Sequence, residues 1–234
     1  MFTKSARFYD AIYSFKDYAG EAENLRSIIS STVARAQTLL DVACGTGLHL
    51  EHLREKLEVV GLDIDPDLLR IAGERNPGVR FENADMLDFD LQQTFDVVTC
   101  LFSSIGYAES PAGLRQAASA MARHVAPGGV LILEPWIFPN DFETGRADAL
   151  VVDYEARKIV RAIFSERRGD QSVLHLHYLV REPDGEVTHF SERHVMGLFS
   201  KKEYEGAIED AGLRSTFDPD GLMGRGLFVA TRPD

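Results

Sequence analysis

The fold of this chain is decided by residues 38–47, which read TLLDVACGTG. The apolar run predicts a buried strand, and the following Leu48, Leu50 and Leu53 recur at helical spacing. Between them, the glycine pair lets the backbone turn tightly and approach a ligand at the carboxyl end of the strand, where open α/β sheets bind their ligands. The segment therefore predicts an α/β fold and the position of its ligand site.

The same alternation of strand and helix continues along the chain. Apolar runs predict further strands, and the proline after Asp65 suits the first turn of a helix. Strands that are apolar throughout and joined by helices indicate a parallel sheet covered on both faces. We therefore predict a Rossmann-like, doubly wound, mostly parallel sheet. Its predicted strands are 38–44, 59–64, 79–84, 95–102, 130–135 and 226–231, and its predicted helices are 67–75, 114–125 and 200–211.

Two additions to this sheet are predicted. Apolar residues recur at helical spacing across residues 5–30, with Gly20 as a possible break, so two short helices are expected to form an N-terminal cap over residues 1–36. Residues 137–198 are predicted to form an antiparallel β insertion, because alternating segments flank the turn at residues 183–185. We expect this insertion to be a lid over the substrate site.

Length and composition indicate one globular domain, residues 1–234. With 44% hydrophobic and 26% charged residues, the chain is unlike disordered, collagen-like or coiled-coil sequences. Its formal net charge of −12 opposes binding to nucleic acid, and no apolar stretch approaches the roughly 20 residues of a membrane span. We expect a cytoplasmic protein with no nucleic-acid or membrane partner, in which Cys44 and Cys100 are reduced thiols of the core.

Acidic residues at strand ends indicate the kind of cofactor. Asp63 follows Gly45 by 18 residues and ends the second predicted strand, where a carboxylate can accept both ribose hydroxyls of an adenosine. A dinucleotide turn needs a small residue where Leu50 stands, so NAD is disfavoured. S-adenosylmethionine carries a sulfonium and an ammonium but no phosphate, which suits a turn with acidic neighbours such as Asp41 and Asp85. Asp85 could accept the adenine amino group or form a turn, and Asp41 could instead be a buried strand-end carboxylate.

Several segments resemble a known family. The segments LDVACGTG (40–47), GLD (61–63) and NADM (83–86) resemble the class I S-adenosylmethionine-dependent methyltransferases. The segments KDY (16–18), FSSIGY (102–107), EPW (134–136) and GRGLF (224–228) are similar to the N,N-dimethyltransferases that act on dTDP-linked amino-deoxy-sugars in antibiotic biosynthesis. The resemblance spans nearly the whole chain. It implies the class I methyltransferase fold, S-adenosyl-L-methionine as cofactor and a sugar-nucleotide acceptor.

The resemblance also implies roles for particular side chains. Tyr9 and Tyr18 are expected to close over the cofactor, and Tyr107 to lie near the acceptor amine as a positioning or proton-accepting group, unless it is a plain aromatic of the wall. Methyl transfer is an in-line displacement that needs no covalent residue, so positioning and desolvation are expected to carry most of the rate. The other predicted cofactor-binding residues are Asp41, Ala43, Gly45, Gly47, Asp63, Ile64, Asp85, Met86 and Leu101, and the predicted acceptor-binding residues are Ser104, Glu134, Trp136, His177 and Arg225.

Histidines on the predicted insertion raise the question of a metal site. His175 and His177 alternate on one strand, with His189 and His194 on the neighbouring segment, but the spacing of a closed zinc site is missing. No metal is predicted, and His177 is expected to contact a sugar or phosphate oxygen. His49, on the helix after the glycine turn, is expected to face solvent.

The acceptor is less constrained than the cofactor. Arg225 could clamp a pyrophosphate or be a surface arginine, and Trp136 could contact the acceptor or pack against the insertion. Ile137 stands where the sugar enzymes often carry a second tryptophan, and the segment before the cap is shorter than theirs. Another small amine or hydroxyl acceptor, a binding module without turnover, and a dinucleotide oxidoreductase therefore stay as alternatives. A homodimer is also left open.

Overall fold

The structure, a computed structural model, describes residues 4–234 and contains two β-sheets. The strands are β1 (Thr38–Val42), β2 (Glu58–Asp63), β3 (Arg80–Asn83), β4 (Phe95–Cys100), β5 (Val125–Leu133), β6 (Ala147–Tyr154), β7 (Arg157–Arg168), β8 (Gln171–Arg181), β9 (Val187–Gly197), β10 (Arg214–Asp218) and β11 (Leu227–Thr231). The helices are α1 (Tyr9–Ile12), α2 (Tyr18–Thr32), α3 (Leu48–Leu53), α4 (Pro66–Arg75), α5 (Pro111–Arg123) and α6 (Lys201–Asp210), with 3₁₀ turns at Ala6–Phe8 and Ser104–Ala108.

The larger sheet has seven strands in the order β10-β11-β5-β4-β1-β2-β3. Strands β1 to β5 run parallel, and β11 and β10 are added antiparallel at one edge. Successive side chains of β1 are buried on opposite faces: Leu40 packs in the core that contains α5 and α6, and Leu39 in the core that contains α2 and α3. The predicted doubly wound, mostly parallel sheet is confirmed.

The N-terminal cap differs from its prediction in where the chain breaks. Helix α2 begins at Tyr18, and the Asp17 side chain caps it by accepting a hydrogen bond from the Gly20 amide at 2.9 Å. Gly20 therefore lies in the first turn of α2, and the expected break at Gly20 is wrong; the chain breaks between Ile12 and Tyr18. A glycine suits that turn because a Cβ atom at position 20 would collide with the capping carboxylate. Residues 1–3 of the predicted cap lie outside the described residues.

The predicted insertion contains the four-stranded antiparallel sheet β6-β7-β8-β9. The expected hairpin corresponds to β8 and β9, which extend beyond the alternating segments 173–180 and 187–195 that predict it, and β6 and β7 precede it. The inner face of this sheet is buried against the cap, where Leu176 and Tyr178 pack with Phe8 and Ile12. The cap and the second sheet thus share one core.

Two details of the larger sheet were not expected. Strand β5 begins at Val125, five residues before the predicted start at residue 130, and it pairs with β4 across a shift in register between Phe95 and Val97. Strand β10 was not predicted, because its side chains alternate between exposed and half-buried and include no fully buried residue. Within the part of the chain that the structure describes, no helix combines the length and the apolar character needed to cross a membrane.

Candidate active site

A cavity of about 500 Å³ lies beyond the carboxyl ends of β1 to β4. A smaller cavity of about 30 Å³ adjoins it, since Tyr9, Ala43, Gly45 and Ser104 line both cavities. Of the predicted site residues, the larger cavity contains Tyr9, Ala43, Gly45, Asp63, Ile64, Asp85, Met86, Ser104 and Tyr107, and the smaller one adds Tyr18, Asp41 and Leu101.

The glycine turn, residues 45–47, reaches both cavities through Gly45. Gly45 and Gly47 have φ of 57° and 72°, a left-handed conformation that glycine adopts without strain. Gly47 lines neither cavity; a Cβ atom there would lie 2.8 Å from the Asn76 side-chain nitrogen, which donates to the Gly47 carbonyl at 3.1 Å. Gly47 therefore lets the turn pack closely against α4.

The Asp63 carboxylate is buried at the end of β2 and organises the turn. One oxygen accepts from the Gly45 amide at 2.8 Å and the other from the Asp65 amide at 2.9 Å. Burial raises the pKa of Asp63, although these backbone donors oppose the rise. Asp85 lies on the same cavity after β3, and its carboxylate accepts from the Leu87 amide at 2.9 Å, so it forms a turn as well as part of the wall.

Asp41 is the third carboxylate, at the smaller cavity. It is 2% exposed and accepts a hydrogen bond from the Thr99 hydroxyl at 2.7 Å. Burial raises its pKa to about 6, although the charge of His49 opposes the rise. The Tyr18 hydroxyl at the same cavity is buried and has no hydrogen-bond partner among the described residues, so a ligand that enters there meets an unused donor.

A buried ion network supports this end of the site, and the sequence reasoning missed it. The Lys16 ammonium pairs with Glu21, and the other Glu21 oxygen accepts from His49 Nε2 at 2.8 Å. His49 is therefore buried, and the expectation that it faces solvent is wrong. Lys16 also lies 4.7 Å from the Phe102 ring centroid and 5.0 Å from that of Tyr18. The segment KDY carried the resemblance, but nothing in its spacing reveals that the lysine is buried.

Ser104 and Tyr107 enter the larger cavity from a short 3₁₀ helix after β4. The two residues before it, Phe102 and Ser103, have φ of 51° and 61°, which is strained for residues with side chains. The strained turn is stabilised by the Glu134 carboxylate, which accepts a hydrogen bond from the Phe102 amide at 2.6 Å. A second support comes from Arg225, whose guanidinium donates to the Ser103 hydroxyl at 2.9 Å.

Three of the predicted acceptor residues therefore lie behind the cavity walls rather than in them. Glu134 is fully buried under the Phe102 turn, and Arg225 supports the same turn. Trp136 packs with Met196 and Leu198, and its indole nitrogen donates to the Ser172 hydroxyl at 2.9 Å.

His177 does not line either cavity. Even-numbered residues of β8, such as Leu176 and Tyr178, face the buried cap, so His177 faces the opposite, exposed side. There it stacks on His189 with ring centroids 5.6 Å apart. Between residues 4 and 234, no group of three or more His, Cys, Asp or Glu side chains is arranged to hold a metal ion.

The chemistry of the walls fits S-adenosylmethionine. Three carboxylates, Asp41, Asp63 and Asp85, lie on the two cavities, and none of the described residues that line them is a lysine or an arginine. Such walls attract a cationic ligand and offer no side-chain cation to a pyrophosphate, which disfavours a dinucleotide.

Comparisons with known proteins agree with this chemistry. Residues 39–129 match the family described as "Methyltransferase domain". The chain is 42% identical over 227 residues to a dTDP-3-amino-3,6-dideoxy-alpha-D-glucopyranose N,N-dimethyltransferase of Streptomyces fradiae, covering 96% of this chain and 89% of that protein. Its fold is similar to the crystal structure of DesVI from Streptomyces venezuelae, with a TM-score of 0.93, 40% identity and coverage of 99% of both chains.

A third relative has been solved with the cofactor. CalS10, an amino pentose methyltransferase from Micromonospora echinaspora involved in calicheamicin biosynthesis, is 40% identical to this chain with a TM-score of 0.87, over 96% of each chain, and its structure contains bound S-adenosylmethionine. The chain belongs to the class I S-adenosylmethionine-dependent methyltransferases, in the family of the sugar N,N-dimethyltransferases.

Proposed function

We propose that this enzyme transfers a methyl group from S-adenosylmethionine to the amino group of a dTDP-linked amino-deoxy-sugar, first once and then a second time. The relatives named above support the proposal, because one is named for a dTDP-3-amino-sugar and another for an amino pentose. Those two acceptors differ, so the experiment below is designed to identify which amino-sugar this enzyme methylates.

One observation carries the proposal: Asp63 and Asp85 share a single cavity with Ser104 and Tyr107. A cofactor held by the two carboxylates and an acceptor held by the two hydroxyls would therefore meet without an intervening wall. S-adenosylmethionine supplies an electrophilic methyl group when bound. The chain supplies position, exclusion of water, and oxygen and aromatic groups that stabilise the positive charge which develops on the acceptor nitrogen.

The proposed acceptor-binding residues are Ser104 and Tyr107 in the wall, with Glu134, Trp136 and Arg225 acting through the turn and the second sheet that they support. Tyr9, which lines both cavities, is proposed to lie between cofactor and acceptor. His177 would reach an acceptor only from its exposed face of the second sheet.

The test is a panel of dTDP-amino-sugars incubated with the enzyme and S-adenosylmethionine, with mass spectrometry of the sugar nucleotide. We expect gains of one and then two methyl groups on at least one amino-sugar. The matched control is dTDP-glucose, which has no amine and should gain none. Methylation of a simple amine or a hydroxyl compound, with no amino-sugar turned over, would contradict the proposal.

Three further points belong to the same proposal. We infer a cytoplasmic enzyme of antibiotic biosynthesis, and its net charge of −12 supports the absence of a nucleic-acid partner. We also infer a homodimer through the outer face of the second sheet, because the large apolar side chains exposed there would be covered by a second copy. They are Val151, Phe164, Leu179 and Val187, which are 46–60% exposed. Light scattering of the wild type and of Phe164→Glu tests this, with a wild-type monomer as the contradicting result.

A further inference from the structure

A buried chain of three side chains leads away from the cavity at Tyr107. The Tyr107 hydroxyl lies 2.6 Å from His194 Nδ1, and His194 Nε2 lies 3.7 Å from Glu192 Oε2. Tyr107 faces the cavity, whereas the side chains of His194 and Glu192 are only 2% and 3% exposed. The order of groups is therefore cavity, phenol, imidazole, carboxylate.

Each group is held in the protonation state that such a chain needs. Glu192 accepts from the Lys4 amide at 2.8 Å and from the Ser5 amide and hydroxyl at 3.0 and 2.6 Å. Burial would raise its pKa, but the nearby His194 ring and the hydrogen bonds from Ser5 and the Lys4 amide outweigh burial and lower it to about 2, so the carboxylate is ionised. Burial lowers the pKa of His194, which keeps the imidazole neutral.

The anionic Glu192 beside Nε2 sets the tautomer of the neutral imidazole. The proton belongs on Nε2, facing the carboxylate, which leaves Nδ1 free of hydrogen. Nδ1 therefore accepts the hydrogen bond that the Tyr107 hydroxyl donates. The order of groups is that of a catalytic triad, with a phenol in the place of the usual nucleophile.

The proposed N-methylation requires a proton acceptor, which these three side chains could provide. An amino-sugar is an ammonium ion at neutral pH and has no lone pair until it loses a proton. Tyr107 alone is a poor base, because burial raises the pKa of its phenol well above the usual 10 and no phenolate is present at neutral pH. A proton acceptor behind the phenol would remove this obstacle.

We propose that His194 accepts, through the hydroxyl of Tyr107, the proton that the acceptor ammonium loses. The N–H bond breaks and its electron pair stays on nitrogen; the phenol oxygen takes that proton as its own proton passes to His194 Nδ1. Tyr107 remains neutral and His194 becomes an imidazolium next to Glu192. Before the second methylation the proton leaves by the reverse route, from His194 through the Tyr107 hydroxyl to water in the cavity. This inference rests on the proposed amine acceptor.

The other groups around the pair are unsuited to this role. Among residues 4–234, the charged or titratable neighbours that influence Tyr107 or His194 include Glu192, Arg161, Tyr9, Tyr13, Tyr178 and Asp63. Arginine does not deprotonate in proteins, and a tyrosine is too weak a base at neutral pH. The Asp63 carboxylate is already engaged with the two backbone amides of the turn. His194 is therefore the acceptor of the Tyr107 proton.

The decisive variant is His194→Asn. An asparagine oxygen can occupy the place of Nδ1 and accept the Tyr107 hydrogen bond, but it cannot take a proton at neutral pH. We expect kcat to fall by about 10²-fold, while the KM of the sugar nucleotide and the affinity for S-adenosylhomocysteine stay within about twofold. The loss should shrink as pH rises above the pKa of the acceptor amine, because the amine then arrives neutral. His175→Asn, on the exposed face of the same sheet, is the matched control.

A kcat of His194→Asn equal to the wild type, or an equal loss at every pH, would overturn the inference. A second measurement does not depend on turnover. With ¹⁵N-labelled histidine, NMR should show a neutral imidazole protonated on Nε2 that is present in the wild type and absent from His194→Asn; a proton on Nδ1 would also overturn it. If the wild type methylates no amino-sugar, the proposed function fails, whereas the NMR result still decides the tautomer.

Discussion

The Asp63 carboxylate accepts a hydrogen bond from the Gly45 amide at 2.8 Å and thereby links the end of β2 to the glycine turn that follows β1. The same carboxylate lines the larger cavity, so one buried side chain both shapes the turn and faces the proposed cofactor site. Substitutions at Asp63 must therefore separate these two effects.

We expect Asp63→Ala to weaken cofactor binding by about 1–3 kcal/mol, because it removes the carboxylate that we propose accepts the ribose hydroxyls. Asp63→Asn should keep one acceptor for the Gly45 amide and preserve more of the fold, yet still lose affinity. Calorimetry with S-adenosylhomocysteine measures the change, and Glu74→Ala, an exposed residue of α4, is the control. Unchanged affinity in Asp63→Ala would remove this residue from the site.

The fold was largely predictable, and the reason lies in the continuous apolar runs. The sequence TLLDVACGTG predicts both a strand and the turn after it, and the structure has β1 and a left-handed Gly45 at those positions. Strand β10 escaped prediction because it buries no side chain fully. Within the predicted antiparallel insertion, the bounds of β6 and β7 were not located, because exposed apolar residues such as Val151 and Phe164 blur the alternation.

The pattern of the sequence predicted the candidate site only where its residues follow the apolar strands, and Tyr9, Ser104 and Tyr107 of the cavity were expected from the resemblance alone. Asp41, Asp63 and Asp85 follow strands that the apolar pattern locates, so their convergence follows from the sheet. The buried partners come from distant parts of the chain: His194 meets Tyr107 across 87 residues, and Arg225 meets Ser103 across 122. No local pattern encodes such pairings, and strand parity alone decides that His177 faces outward.

Asp41 should make cofactor binding sensitive to pH. Its pKa of about 6 means that the carboxylate is protonated below pH 6, so we expect the affinity for S-adenosylmethionine, whose ammonium and sulfonium are cations, to fall as pH drops through this value. Calorimetry between pH 5 and pH 8 measures it. In Asp41→Asn the affinity should be lower and nearly independent of pH over this range. A wild-type affinity that does not change with pH would contradict the role of Asp41.

The same residue has the opposite effect on the unliganded fold. Its pKa in the folded state, about 6, lies above its ordinary value of 3.8, so the folded state holds the proton more tightly. The contribution of Asp41 to stability is fully present below pH 3.8 and is lost as pH rises through 6. At 1.36 kcal/mol per pH unit, the difference of about two units sets a limit of about 3 kcal/mol. Asp41→Asn should therefore stabilise the unliganded enzyme at pH 7.5, measured by urea denaturation, and a destabilised variant would contradict this.

Glu134 should matter for the position of Tyr107 rather than through contact with a ligand. Glu134→Ala leaves the half-buried Phe102 amide without an acceptor under a strained turn, so we expect a loss of about 1–3 kcal/mol in stability and a lower kcat. Glu134→Gln keeps the size and an acceptor oxygen and should lose much less of both. Denaturation and steady-state kinetics of the two variants make the comparison. Equal effects would show that the charge, and not the hydrogen bond, is required.

The buried Lys16–Glu21 pair should be worth far more as a pair than either charge alone. The Lys16 side chain is 0% exposed and that of Glu21 is 7% exposed, so Lys16→Met leaves a buried carboxylate whose remaining partner is His49. We expect a loss of about 3 kcal/mol in the free energy of unfolding, because an uncompensated buried charge is destabilising. The double variant Lys16→Met/Glu21→Gln removes both charges at once and should recover part of that loss. Urea denaturation of the wild type, both single variants and the double variant gives the coupling energy, and additive losses would mean that the two side chains do not stabilise each other.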